Sequence, residues 1–125
     1  METTMHSEGK LFPLGTILLV LSNFSFPMLP ERSRALEELL SFMLGHHVQV
    51  NELALAKELA GKELFEQLPV LNTEDLGRRI AEVERWCMQG GRTIRQRDTY
   101  FSHFVTECVP TYGETLLVRP IAPRS

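Results

Sequence analysis

Gly15-Thr16-Ile17-Leu18-Leu19-Val20-Leu21-Ser22-Asn23 is the stretch on which the layout of the chain turns. Residues Thr16 to Leu21 follow one another without a charged or strongly polar break, Gly15 precedes them and Ser22-Asn23 stops them. Thr16, Ile17 and Val20 are β-branched, and a continuous run of this length matches a strand buried on both faces. The run predicts an amino-terminal strand over 16–21. A matching segment lies towards the other end. Glu114 to Ile121 follows the turn residue Gly113 and alternates, with Leu116 and Val118 on one face and Leu117 and Arg119 on the other. A lone buried strand leaves its N–H and C=O groups unsatisfied at about 1–3 kcal/mol each, so the two segments are expected to pair.

Helical periodicity fills the space between them. Leu36, Leu39, Leu40, Met43 and Leu44 recur at the spacing of one helix face, and Gly45 stands just past the last of them, where a left-handed residue ends a helix at low steric cost. His46 to Val50 is a short crossing, after which Asn51 is placed to cap a second helix running to about Leu68 before Pro69. Its stripe of Leu53, Ala56, Leu59, Ala60, Leu64 and Leu68 is rich in alanine and implies close approach to a neighbour. Asn72 or Thr73 caps a third helix with Glu74 and Asp75 in its first turn and Leu76, Ile80, Val83 and Cys87 on its buried face. Gly90-Gly91 stops it. Arg92 to Arg97 reads as a polar connector, and Asp98 opens a fourth helix carrying Tyr100 or Phe101, Phe104, Val105 and Cys108 as far as Pro110. Glycines 15, 45 and 113 read as positions set by backbone geometry. The expected fold is α+β: about four helices packed on a small antiparallel sheet made by the amino- and carboxyl-terminal strands. Residues 1–10 are expected to be a disordered tail and 11–125 a single globular domain.

Composition narrows the functional classes. The 125 residues are 43% hydrophobic and 23% charged, which suits one core and excludes collagen-like, mucin-like and wholly disordered chains. Thirteen Lys and Arg against sixteen Asp and Glu give a net charge of −3, so no general attraction to nucleic acid or anionic membrane is expected. Cys87 and Cys108 are too few for a secreted disulfide framework, which points to a reducing compartment. The apolar stretch from Leu11 to Phe26 is interrupted by Pro13, Gly15, Ser22, Asn23 and Ser25 and is shorter than the roughly 20 apolar residues of a membrane helix. No membrane association is expected.

Few residues carry recognisable chemistry. His46 and His47 are adjacent, and on an extended segment they point to opposite faces; His103 and Cys108 could join one of them, but the spacing matches no zinc pattern. No metal site and no cofactor are expected. Both cysteines fall on apolar helix faces, where thiols are inert, and no nucleophile elbow, phosphate loop, dinucleotide glycine pattern or metalloprotease helix occurs. Catalysis is not expected. The basic residues gather between Arg78 and Arg97, with Glu74, Asp75, Glu82, Glu84 and Asp98 close by, and only Arg92, Arg95 and Arg97 form an unopposed local cluster. Arginine forks suit carboxylate or phosphate. With Trp86 on a helix flank, these three are the expected partner-binding residues, and alanine at all three is expected to weaken binding without loss of stability. Phe24, Phe26, Met28 and Leu29 either close over the sheet or add to an interface.

Leu14-Gly15-Thr16-Ile17-Leu18, the helix end Leu39-Leu40-Ser41-Phe42-Met43-Leu44-Gly45-His46, the segment Gln67-Leu68-Pro69-Val70-Leu71, and Tyr112-Gly113-Glu114 with Val118 and Pro120 together resemble a family of small uncharacterised proteins of tailed bacteriophages and prophages. The likeness spans most of residues 11–121 and departs from the family at Ser22 to Pro30, where a short polar turn is expected. None of the matched residues is a chemical motif, so no catalytic residue is carried over. What the resemblance implies is a phage origin, and it supplies no activity; with the small size and the lack of catalytic signatures, that origin leads to the expectation of a phage accessory protein without enzymatic activity. It would bind and inhibit a host protein in the bacterial cytoplasm, for instance as an anti-CRISPR-like counter-defence factor against a defence complex. The alternative is a small nucleic-acid- or nucleotide-binding module of phage replication, and a homodimer would cover the open edges of a two-stranded sheet.

Overall fold

The computed structural model describes residues 9–22 and 28–121. Of the tail expected over residues 1–10, residues 1–8 lie outside the described residues, as do the connector residues Phe24 and Phe26, while Lys10 is not tail but the first residue of a paired strand. Strand β1 spans Lys10–Pro13 and is followed at once by helix α1, Leu14–Leu21. Helices α2 (Pro30–Leu44), α3 (Leu53–Gln67), α4 (Glu74–Cys87) and α5 (Ile94–Tyr112) come next, with 3₁₀ turns at Val50–Glu52 and Pro69–Leu71, and strand β2 (Thr115–Val118) closes the order. The α+β expectation holds in its outline. The described residues hold five α-helices where about four were expected.

The extra helix is the segment that reads as a strand. Leu14 to Leu21 is α-helical, and every residue from Leu14 to Val20 is buried. A helix that is apolar all round belongs in the centre of a fold, and α1 touches α2, α3, α5 and β1. Periodicity cannot separate a short buried helix from a buried strand. Pro13, extended at φ −62° and ψ 144°, marks the switch from strand to helix. The end-to-end sheet therefore forms one segment earlier than the apolar run predicts. Strands β1 and β2 pair antiparallel with Lys10 opposite Val118, Leu11 opposite Leu117, Phe12 opposite Leu116 and Pro13 opposite Thr115. Leu14 N–H extends the ladder by donating to the Glu114 carbonyl at 2.9 Å. Phe12 and Val118 face the core, while Leu11 and Leu117 form an exposed cross-strand pair.

Beyond its last paired residue, β2 is held by a side chain. The Gln67 amide donates to the Arg119 carbonyl at 2.9 Å and accepts from the Arg119 N–H at 2.8 Å, imitating a neighbouring strand. Ile121 N–H then donates to the Met43 carbonyl at 2.8 Å, which fastens the segment after β2 to the end of α2.

The other helices follow their sequence signals closely. Helix α2 buries Leu36, Leu39, Leu40 and Met43 and ends at Gly45, which is left-handed at φ +81°. Helix α3 buries Ala56, Ala60 and Leu64. The alanines and Gly61 bring its backbone near α1: a Cβ on Gly61 would lie 4.0 Å from the Val20 carbonyl oxygen. Leu59, expected on this stripe, is exposed, because it lies off the i, i+4, i+8 row of Ala56, Ala60 and Leu64 that faces the core. Asn51 lies inside the 3₁₀ turn before α3 and does not cap it. Helix α4 buries Leu76, Ile80, Val83 and Cys87, and the Thr73 hydroxyl accepts from the Leu76 N–H at 3.1 Å.

Helix α5 starts four residues before Asp98 and runs through Pro110 to Tyr112. Thr93 and Gln96 set its beginning, each side chain accepting a hydrogen bond from the other's backbone N–H. Arg32 of α2 fixes its rotation, donating to Asp98 Oδ1 and Ser102 Oγ at 2.6 Å each and lying over the Phe101 ring. Gly15 is part of the same clamp. A Cβ there would sit 3.3 Å from the Arg32 guanidinium, so its role is close approach and not an unusual backbone angle.

Replacing Leu18, which is fully buried in α1, with alanine is expected to lower unfolding free energy by about 3 kcal/mol. The same change at the exposed Leu117 of β2 is expected to leave the denaturation midpoint nearly unmoved. Urea titrations of the two variants give the comparison. Gln67→Ala is expected to cost about 1–2 kcal/mol, since two backbone hydrogen bonds lose their partner. Hydrogen exchange should show faster exchange at the Arg119 amide in that variant.

Candidate functional site

The hairpin formed by α4, the turn at 88–93 and α5 gathers the residues singled out for partner binding. Trp86, half-buried near the end of α4, stacks parallel on Tyr100 of α5 with ring centres 4.0 Å apart and planes within 5°. The Arg92 guanidinium lies over the indole at 3.7 Å. Arg92 also donates to the Trp86 carbonyl at 3.3 Å and to Gln89 Oε1 at 2.6 Å. Gly91, at φ +87°, lets the chain reverse so tightly that Arg92 returns over the helix it has just left. Arg97 turns inward, donating to the Arg92 carbonyl at 2.9 Å, and its own carbonyl is met by the Cys87 thiol at 4.0 Å.

This geometry corrects the reading of 92–97 as a solvated connector. Residues 94–97 are the first turn of α5, and two of the three arginines are half-buried and engaged within the hairpin. Arg95 alone of the three is exposed with no hydrogen bond or ion pair among the described residues. Arg92 and Arg97 hold the turn. The expectation that all three can be removed without loss of stability therefore narrows to Arg95.

Sequence reasoning missed three of the residues beside Arg95. Arg95, Thr99 and His103 stand at i, i+4 and i+8 on one face of α5, with Tyr100 alongside. Together with Trp86 they line an open groove of about 560 Å³. Tyr100 and His103 continue into a narrower recess of about 210 Å³, bordered by Arg79, Glu82 and Glu107. Tyr100 was an alternative to Phe101 for the core; Phe101 takes that place and Tyr100 is left at the surface. From the sequence, His103 stands out as a metal ligand or a neighbour of Cys108, not as a groove residue. The spacing that puts it in line with Arg95 was present in the sequence, but it gains meaning only once α5 is known to start before Arg95.

The remaining chemical groups lie apart from this groove. His46 and His47 are exposed just after α2, where His46 Nδ1 lies 3.0 Å from the His47 carbonyl oxygen. Among the described residues, no group of three His, Cys, Asp or Glu side chains is placed to hold a metal ion. Cys87 and Cys108 are free and buried, and burial pushes both thiols above their ordinary range. Arg97 and Arg92 offset part of the shift at Cys87. At Cys108 the Arg79 charge opposes the shift, while Glu107 and Asp75 add to it. Burial lowers the Lys57 ammonium on α3, and Glu84 works against that. Among the described residues, no helix is long and apolar enough to cross a membrane.

A raised thiol pKa in the folded chain means that the unfolded chain loses its protons first as pH rises. Stability contributed by the two cysteines is therefore complete below the ordinary thiol range near pH 8.5 and falls above it. Denaturation midpoints measured from pH 7.5 to 10 should decline more steeply for the wild-type chain than for Cys87→Ala/Cys108→Ala. A thiol reagent at pH 7.5 should label neither cysteine until denaturant is added. Arg97→Ala is expected to lower the midpoint through loss of its bond to Arg92, a cost of about 1 kcal/mol, whereas Arg95→Ala leaves it in place.

Compared with known proteins, the chain matches no family model, no curated protein and no solved structure.

Proposed function

We propose that this chain is a non-enzymatic accessory protein of phage origin that binds a host protein in the bacterial cytoplasm and inhibits it by occlusion. A counter-defence role of the anti-CRISPR kind is the most concrete form of that reading. The observation that carries the binding reading is the face of the α4–α5 hairpin: a stacked Trp86–Tyr100 pair with Arg92 over it and an uncommitted Arg95 beside it. Aromatic residues and arginine supply large, ordered contact area and directional charge, and they dominate the energetics of protein interfaces. The hairpin is braced from within, so little ordering is required when a partner arrives. The phage origin rests on the resemblance of the Leu14–Leu18, Leu39–His46 and Tyr112–Pro120 segments, and both that origin and the choice of a host target belong to the proposal.

Affinity capture from a bacterial lysate, run in parallel with the wild-type chain and with Arg95→Ala/Tyr100→Ala, tests the assignment. One host protein should be enriched by the wild type and lost at least tenfold in the variant, with both chains folded by circular dichroism. Equal enrichment by the two would remove the hairpin face as the contact surface. Repeating the capture after nuclease treatment separates a protein target from the nucleic-acid alternative: retention of the same protein supports direct binding.

A further inference from the structure

The groove on the hairpin face has a chemistry and a length that select its occupant. Its wider part is lined by Arg95, Thr99, His103, Trp86 and Tyr100 and by no carboxylate, in a chain whose net charge is −3. Glu82 and Glu107 appear only in the narrower recess beyond Tyr100 and His103. Arg79 borders that recess too and is paired there with Glu107, whereas Arg95 faces no carboxylate, so an acidic ligand is favoured over the length from Arg95 to His103. Those two residues are eight positions apart on one helix, about 12 Å at 1.5 Å per residue.

We infer, building on the reading of this face as the contact surface, that the groove takes a short extended acidic segment of a partner protein with the pattern acid-x-aromatic-x-acid. An extended chain rises about 3.3 Å per residue and turns every second side chain to the same face, so its positions i and i+4 are about 13 Å apart. That matches the separation of Arg95 and His103. The first carboxylate meets the Arg95 guanidinium, the second accepts from the imidazole N–H of His103, and the side chain midway between them lies against Tyr100. Thr99, between the Arg95 and His103 ends, faces the peptide backbone with a hydroxyl that donates or accepts.

The same site is poorly built for a nucleotide. Trp86 and Tyr100 are in contact at 4.0 Å, leaving no slot between them for a base. The Arg92 guanidinium is held by the Trp86 carbonyl and Gln89. At the start of α5 the reciprocal bonds of Thr93 and Gln96 occupy backbone donors that could otherwise meet a phosphate.

Trp86 is the single tryptophan of the chain, so its emission reports on this groove alone. The probe is the acetylated, amidated peptide Gly-Glu-Ser-Phe-Ser-Glu-Gly, titrated into the full chain at pH 7 and low salt. Controls are Gly-Lys-Ser-Phe-Ser-Lys-Gly, the register-shifted Gly-Glu-Ser-Phe-Glu-Ser-Gly, and a ten-nucleotide oligothymidine. The expected result is a saturable change in Trp86 emission with the first peptide. Affinity should fall at least fivefold for the register-shifted peptide and in Arg95→Ala and His103→Ala, recover in Arg95→Lys, and vanish with the lysine peptide. Binding of the lysine peptide or the oligothymidine in place of the acidic one overturns the occupant while leaving the contact face standing. Equal binding of the two acidic registers overturns the extended pattern. No response to any probe overturns the inference too, and the contact face is then judged by the capture experiment with Arg95→Ala/Tyr100→Ala.

Discussion

Withdrawal of every side chain of α1 from Leu14 to Val20 from water is the constraint on which the rest of the structure depends. A helix with no polar side must be enclosed, and here the enclosure consists of α2, α3, α5 and the strand that leads into it. Each neighbour brings a different means of approach. Helix α2 offers long side chains, Leu36, Leu39, Leu40 and Met43; α3 offers alanines and a glycine, so its backbone comes close; α5 offers Phe101 and Phe104. The two-stranded sheet would be marginal by itself. It persists because Phe12 and Val118 join the same core, and because Gln67 and Met43 hold the chain just beyond β2.

Much of this was legible in the residues. The faces of α2 and α4 can be read from their spacing, and the meeting of two terminal strands follows from the need to satisfy backbone groups. The strand at 16–21 was misread for a specific reason. A fully buried helix and a fully buried strand both show an unbroken apolar run, and the β-branched Thr16, Ile17 and Val20 argued for the strand. The competing signal was Pro13, followed by a leucine-rich segment just long enough for two turns of helix. Its weight depends on whether three helices are available to surround α1, and that is a property of the whole fold.

The candidate site was legible in composition and illegible in geometry. Trp86 and the three arginines do meet in one place, but they divide into those that build the turn and the one that faces outward. Arg92 donates to the backbone carbonyl of Trp86 and Arg97 to that of Arg92, interactions fixed by the reversal at Gly91. No pattern of residue types encodes that reversal beyond the pair Gly90-Gly91. Tyr100 and His103 were hidden by a boundary error of four residues, since opening α5 at Asp98 detaches Arg95 from the face it shares with them.

Helix α5 connects the two halves of the molecule. Phe101, Phe104 and Cys108 face the core, while Arg95, Thr99 and His103 face the groove, and a rigid helix cannot change one set without moving the other. Its rotation is fixed at a third point by Arg32, whose bonds to Asp98 and Ser102 cross from α2 and pass over Gly15 of α1. Enclosure of α1 is thereby transmitted to the spacing of the groove residues. The hairpin turn is braced by contacts of its own, Arg92 on Trp86 and Gln89 and Arg97 on the Arg92 carbonyl. Under the proposed reading of this face, a surface set before the partner arrives would gain affinity, and the stacked Trp86, Tyr100 and Arg92 are held in place without drawing on Arg95.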